Sequence, residues 1–313
     1  MQPKFKTNDS PINTVPRTQF YTWRNYRCAY EVHTPSHPNV DECIPLLLIH
    51  PIGVGLSRQF WQRFCGEWLK TGRCNPIYNP DLLGCGESNM PHVVYTPTDW
   101  AEQLQHFLQT VVKKPVIVVV QGALLPVAIA LVNSSQSAEW IRGLVLAGPP
   151  AWAVITEKSS AWQQRWRWNL LDSPLGNAFY RYARRQQFLS SFSTRQLFAD
   201  VNSVDAEWLN TLDAGAKNPD SRYAVFSFLA GFWRQDYTEA IAAISQPTLV
   251  VVGDTASSIS QAGKAETPDQ RLADYLSYLP KGRGLKMPGR NVLPYESTAE
   301  FVAAIAPFVD ECS

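Results

Sequence analysis

Proton-relay chemistry needs a nucleophilic hydroxyl, thiol or carboxylate, an imidazole to take its proton, and a carboxylate to hold that imidazole. The chain offers candidates of each type but no obvious cluster. His33, His37, His50, His92 and His106 are scattered, and none has a neighbour at zinc-ligand spacing. The six cysteines, Cys28, Cys43, Cys65, Cys74, Cys85 and Cys312, contain no C-x-x-C pair, so reduced structural thiols are expected, with no metal and no cofactor. Ser57 follows Gly55 and could attack a substrate, yet it reads better as the N-cap of a helix carrying Phe60, Trp61 and Phe64. Asp81 and Ser88 flank a glycine-rich turn and are expected to shape it before doing anything else.

The elements that would position these residues are legible. Apolar, largely β-branched runs recur at 45–50, 115–120, 141–147 and 247–253, separated by stretches of helical periodicity, so a parallel sheet covered on both faces is expected. The 17 apolar residues from Val116 to Val132 are long enough to suggest a membrane span. Gln121, Gly122 and Pro126 interrupt them, so a strand, a sharp turn and a buried helix account better for the run. Pro97 opens a helix in which Trp100, Leu104, Phe107 and Val111 share a face, and Ser297 with Glu300 reads as a capping box before Phe301, Ile305 and Phe308. Strand signal disappears between about 151 and 240, where aromatic residues crowd helix-like sequence. The division predicted is an N-terminal extension (1–20), a first core part (21–150), a helical cap insertion (151–240) and a last core part (241–313).

Five segments, taken in order, resemble the α/β-hydrolase fold superfamily. Leu46-Leu-Leu-Ile-His50-Pro-Ile-Gly53 is similar to its oxyanion loop, with Pro51 where glycine is usual and Ile52 and Gly53 following. Asn79-Pro-Asp-Leu-Leu-Gly-Cys-Gly-Glu-Ser88 resembles its P-D-x-x-G-x-G-x-S turn, and this is the most specific match. The strand 115–120 and the turn after it occupy the place of the nucleophile elbow. The segment 246–256 resembles the strand that ends in the triad acid, and 288–296 the histidine loop. The resemblance spans roughly 20 to 310 and implies an α/β-hydrolase fold: a mostly parallel, doubly wound sheet with a helical cap insertion.

The same resemblance assigns three catalytic slots, and this sequence departs from the family in all of them. The nucleophile slot falls on Gly122, or on Ala123 if the register shifts by one; the acid slot falls on Ala256, with Asp254 two places earlier; the base slot falls on Asn291, preceded by Arg290. Glycine and alanine cannot attack, and an amide does not titrate near neutral pH. His50 in this family generally structures its loop. The expectation is therefore a non-catalytic α/β-hydrolase-like protein that binds a ligand or a protein, with Gln121, Gly122, Ala123, Arg290 and Asn291 lining its pocket. The alternative is an enzyme of the same fold, an ester hydrolase or lyase with relocated or atypical catalytic residues.

Charge narrows the partners. With 28 Lys+Arg against 27 Asp+Glu there is no global footprint for nucleic acid. Locally, seven basic residues stand against one acid, Asp172, between Lys158 and Leu197, interleaved with aromatics. Arg165, Trp166, Arg181, Arg184 and Arg185 form a candidate docking face for a protein or for a hydrophobic or anionic small ligand, with peripheral membrane contact admissible. The opposing expectation is that these aromatics pack the cap onto the core while the arginines reach solvent. No secretory signal or transmembrane helix is read, so a cytoplasmic location is expected.

Overall fold

The computed structural model describes residues 16–313. Eight strands form one sheet: β1 (Gln19–Trp23), β2 (Tyr26–His33), β3 (Leu46–Ile49), β4 (Ile77–Pro80), β5 (Val116–Gln121), β6 (Ile141–Ala147), β7 (Thr248–Gly253) and β8 (Gly282–Met287), in the order β1-β2-β4-β3-β5-β6-β7-β8. β1 and β2 pair antiparallel and β2 joins β4 antiparallel; from β4 to β8 every pairing is parallel. The four apolar runs of the sequence are β3, β5, β6 and β7, the centre of this sheet. The other four strands are edge or near-edge strands with mixed polarity, which is why an apolar-run criterion passes over them. β1 begins at Gln19, inside the segment expected as an extension.

Alternate residues of the central strands feed opposite cores. Leu47, Ile49, Val118, Val120, Leu144, Leu146, Val250 and Val252 face one apolar cluster, and Leu46, Leu48, Ile117, Val119, Val145, Ala147, Leu249 and Val251 face the other. Helices α1 (Gln62–Lys70) and the C-terminal α13 (Thr298–Cys312) cover the second face. The first is covered by α2 (Pro97–Phe107), α3 (Leu125–Asn133) and α11 (Pro268–Tyr278). A full capping box at Thr96 and Asp99 starts α2. Ser57 accepts from the Gln59 N–H as the expected N-cap, but Ser297 does not cap α13; its hydroxyl donates to the Pro288 carbonyl instead. Tertiary contact with the loop before it outcompetes the local cap.

Between β6 and β7 the chain runs through seven helices: α4 (Trp152–Ile155), α5 (Ala161–Leu171), α6 (Pro174–Ala183), α7 (Gln186–Phe192), α8 (Ala206–Gly215), α9 (Arg222–Ala230) and α10 (Thr238–Ala242). A short helix, α12 (Leu293–Glu296), precedes α13. Among the described residues no helix is long and apolar enough to cross a membrane. The 17-residue apolar run divides into β5, the bend at Gly122 and α3.

The cysteine expectation needs correction. Cys43 and Cys74 form a disulfide that ties the loop before β3 to the loop before β4, while Cys28, Cys65, Cys85 and Cys312 remain thiols. The two partners lie 31 residues apart with no motif spacing, and only the folded positions of the two loops bring them together.

Candidate functional site

The glycine-rich turn after β4 packs against the loop after β3, which carries part of the site. Asp81 is fully buried; its carboxylate accepts from the backbone N–H groups of Arg58 (2.9 Å) and Glu87 (2.8 Å) and pairs with the Arg58 guanidinium. Arg58 also meets Glu31 at 3.0 Å and Glu87 at 2.6 Å. Burial pushes the Asp81 carboxyl up, against the pull of Arg58. Gly86 has φ +56° and a Cβ there would sit 2.1 Å from the Asp81 carboxylate, so the motif's glycine is demanded by the aspartate it encircles. Ser88 closes the turn, accepting from the Ala29 N–H and donating to the Asp81 carbonyl.

His50 belongs to this scaffold and does not line the pocket. It is completely buried, with Nδ1 2.8 Å from the Pro51 carbonyl and Nε2 3.1 Å from the Leu82 N–H. Those partners require the neutral ring, protonated on Nδ1, and burial holds its pKa below the usual histidine range. The ring therefore fastens the β3 loop to the glycine-rich turn, and its proton cannot leave toward a substrate.

At the end of β5 the bend falls on Gly122, whose φ is +62°. A Cβ on Gly122 would meet nothing nearer than the Gly148 carbonyl at 3.9 Å, so there is space for a side chain that the residue does not provide. Gln121, buried beside it, donates from Nε2 to the Asn291 carbonyl at 2.6 Å. Asn291 in turn donates from Nδ2 to the carbonyls of Gln196 (2.7 Å) and Ser257 (2.9 Å). These bonds lace the β5 bend, the loop after β7 and the loop after β8 together. Asp254 is occupied otherwise, accepting from the Gly289 N–H at 3.1 Å.

Over this junction lies a cavity of about 460 Å³, walled below by Pro51, Ile52, Gly53, Gln121, Gly122, Ala123, Ser257 and Asn291, and above by cap residues such as Phe179, Leu189, Phe192, Trp208, Val225 and Phe228. The volume suits a small organic ligand. Of the expected pocket residues, Gln121, Gly122, Ala123 and Asn291 come together there. Arg290 does not: its guanidinium turns to the Arg195 carbonyl at 3.0 Å. Ala256 is buried in the apolar core next to Ser257.

The wall contains no histidine, cysteine, aspartate or glutamate among the described residues; its ionisable members are Arg234 and Arg271, paired with Glu157 and Glu266. Its hydroxyls are Ser193, Ser257, Ser258 and Ser260, and Ser193 accepts from the Trp208 indole at 2.8 Å. A histidine with a carboxylate partner does exist, His92 against Asp172 at 2.8 Å and stacked on Tyr223, but neither His92 nor Asp172 lines the cavity. Sequence reasoning did not single out Arg271 or Arg234, because neither stands in a motif; α11 and the turn after α9 deliver them.

The alpha/beta hydrolase family model matches residues 46–305. The chain belongs to that family. No match was found among curated proteins. Among solved structures, this alpha/beta hydrolase is similar to a thermophilic esterase from Thermogutta terrifontis (18% identity, TM-score 0.70, 95% of this chain and 99% of the other). It is also similar to a serine hydrolase involved in carbazole degradation (17%, TM-score 0.70, 95% and 99%). A third likeness is to the enol-lactonase from Burkholderia xenovorans LB400 (14%, TM-score 0.69, 93% and 100%). At such identities the likeness carries the fold, and the chemistry must be read from the residues in this chain's own site.

Proposed function

We propose that this alpha/beta hydrolase takes an apolar small molecule with one polar end into the cavity beneath its cap and does not form an acyl-enzyme with it. Gly122 takes the nucleophile position, Ala256 the acid position and Asn291 the base position. The observation that carries the reading is the make-up of the cavity wall, which has no imidazole, thiol or carboxylate among the described residues. Serine hydroxyls without a base are poor nucleophiles at neutral pH. The Gln121 side-chain carbonyl and one Arg271 nitrogen, Nη2, are buried without hydrogen-bond partners. Buried polar atoms are costly when unpaired, so a ligand that bonds to them is favoured over a purely apolar one.

A second reading has its own support. The solved structures that resemble this chain are described as an esterase, a serine hydrolase and a lactonase, and family membership by itself favours an enzyme whose catalytic residues are atypical or relocated. One experiment separates the two: purified protein is offered short-chain p-nitrophenyl esters and a fluorophosphonate probe, and its cavity is titrated with a fluorescent fatty acid. Binding of the fatty acid, weakened by Ala183→Trp in the cavity wall, together with no turnover and no labelling, supports the first reading. Turnover or stoichiometric labelling overturns it in favour of the second.

A further inference from the structure

The cap presents a surface that the cavity does not use. On α5, Trp162 and Trp166 are 73% and 57% exposed, and Leu170 continues the row at the same helical spacing. On α6, Leu175, Phe179 and Tyr182 form a second exposed row, and Phe179 also lines the cavity, whose wall thus reaches the surface here. Six large apolar side chains left in solvent on two consecutive helices are unexplained by packing. The expectation that the cap aromatics serve the core holds for Tyr180 and fails for Trp162 and Trp166.

On α6, the side opposite to that exposed row opens into a cleft of about 370 Å³ lined by Asn177, Tyr180, Arg181, Arg184 and Arg222. One carboxylate stands among these three cations: Asp220, paired with Arg222 at 2.8 Å. The Arg222 Nε is buried without a partner, Arg184 donates to the Ala216 carbonyl at 3.3 Å, and Arg181 has no carboxylate within ion-pair distance among the described residues. Guanidinium groups converging with donors to spare are the arrangement that recognises phosphate oxygens.

We propose that α5 and α6 dock this protein on an anionic phospholipid bilayer, with Trp162, Trp166, Leu175 and Phe179 entering the interface and exposed Arg181 meeting a phosphate headgroup. Charge complementarity selects this occupant: free phosphate would use the cleft on the other side of α6 and leave the apolar rows unexplained, whereas a bilayer offers an apolar layer to the rows and anionic headgroups to the exposed basic side chains of the same segment. Exposed Arg165 and Arg185 add to the attraction, and the single acid of the segment, Asp172, is taken by His92. Tryptophan and arginine side chains are suited to that boundary. The inference stands whether or not the cavity's ligand is turned over.

Co-sedimentation of the full chain with phosphatidylcholine vesicles, with and without phosphatidylglycerol, tests it. The expected result is pelleting with the anionic vesicles only, reduced by added salt, and weakened roughly tenfold by Arg181→Glu or by Trp162→Ser with Trp166→Ser. All three residues are exposed, so an unchanged thermal melt is expected to accompany the loss. Arg142→Glu makes the same charge change at an exposed position on β6 and should leave binding intact. No pelleting with either vesicle, equal weakening by Arg142→Glu, or saturable binding of inorganic phosphate without vesicle binding would each overturn the proposal.

Discussion

Replacing Gly122 by serine puts a hydroxyl on the bend after β5, the position proposed for the nucleophile, and the structure says what should follow. The backbone there has φ +62°, a region that costs an L-residue roughly 1–2 kcal/mol. No clash adds to this, since a Cβ would lie 3.9 Å from its nearest neighbour, the Gly148 carbonyl. At about 2 °C per kcal/mol for a chain of this size, the melting temperature should fall by roughly 2–4 °C and the protein should stay folded. The new hydroxyl faces a wall with no general base among the described residues, so Gly122→Ser alone should remain unlabelled by fluorophosphonate. Adding Ala256→Asp and Asn291→His should raise labelling by roughly 10²–10⁴ over the single variant, the range a positioned acid–base group contributes. In-gel labelling and differential scanning fluorimetry read both quantities. Labelling of the single variant would refute the claim that no base is within reach. A melting temperature lowered by roughly 10 °C or more would refute the claim of unoccupied space, on the same scale, and a triple variant as silent as the single one would refute the assignment of the three positions.

Two further outcomes are expected. His50 has a folded pKa held below 6.5 by burial, so the unfolded chain takes up a proton first as pH falls; its contribution to stability is fully present above about pH 6.5 and is lost progressively below it. Urea midpoints measured between pH 7.5 and 5.5 should therefore fall less steeply for His50→Gln than for the unsubstituted protein, and parallel profiles would sink the argument. The Cys43–Cys74 disulfide closes a loop of 31 residues, worth up to about 4 kcal/mol of stability by loop entropy. Alkylation of the denatured chain should modify four cysteines without reductant and six with it, and six in both conditions would rule the bond out.

Much of the fold is written locally in the chain. Short apolar runs between helical stretches read as strands buried on both faces, and those at β3, β5, β6 and β7 announced the parallel centre of the sheet. The turn from Asn79 to Ser88 was legible through its resemblance to a family motif, and the structure supplies the reason for the motif: the buried Asp81, ringed by backbone donors, leaves no room for a side chain at Gly86. The outer strands β1, β2, β4 and β8 were not, since their mixed polarity gives no continuous apolar run.

What the sequence determined by itself was the set of side chains available: glycine, alanine and asparagine at the three positions to which the family resemblance points, side chains that do not relay a proton. The tertiary structure alone decided which residues share a space. It brought Gln121 to the Asn291 carbonyl, sent Arg290 away to Arg195, joined Cys43 to Cys74, and left Trp162 and Trp166 in solvent. The physical reason is range. Backbone preference and apolar periodicity act over a few residues, whereas a cavity wall assembled from loops more than a hundred residues apart depends on how whole layers pack.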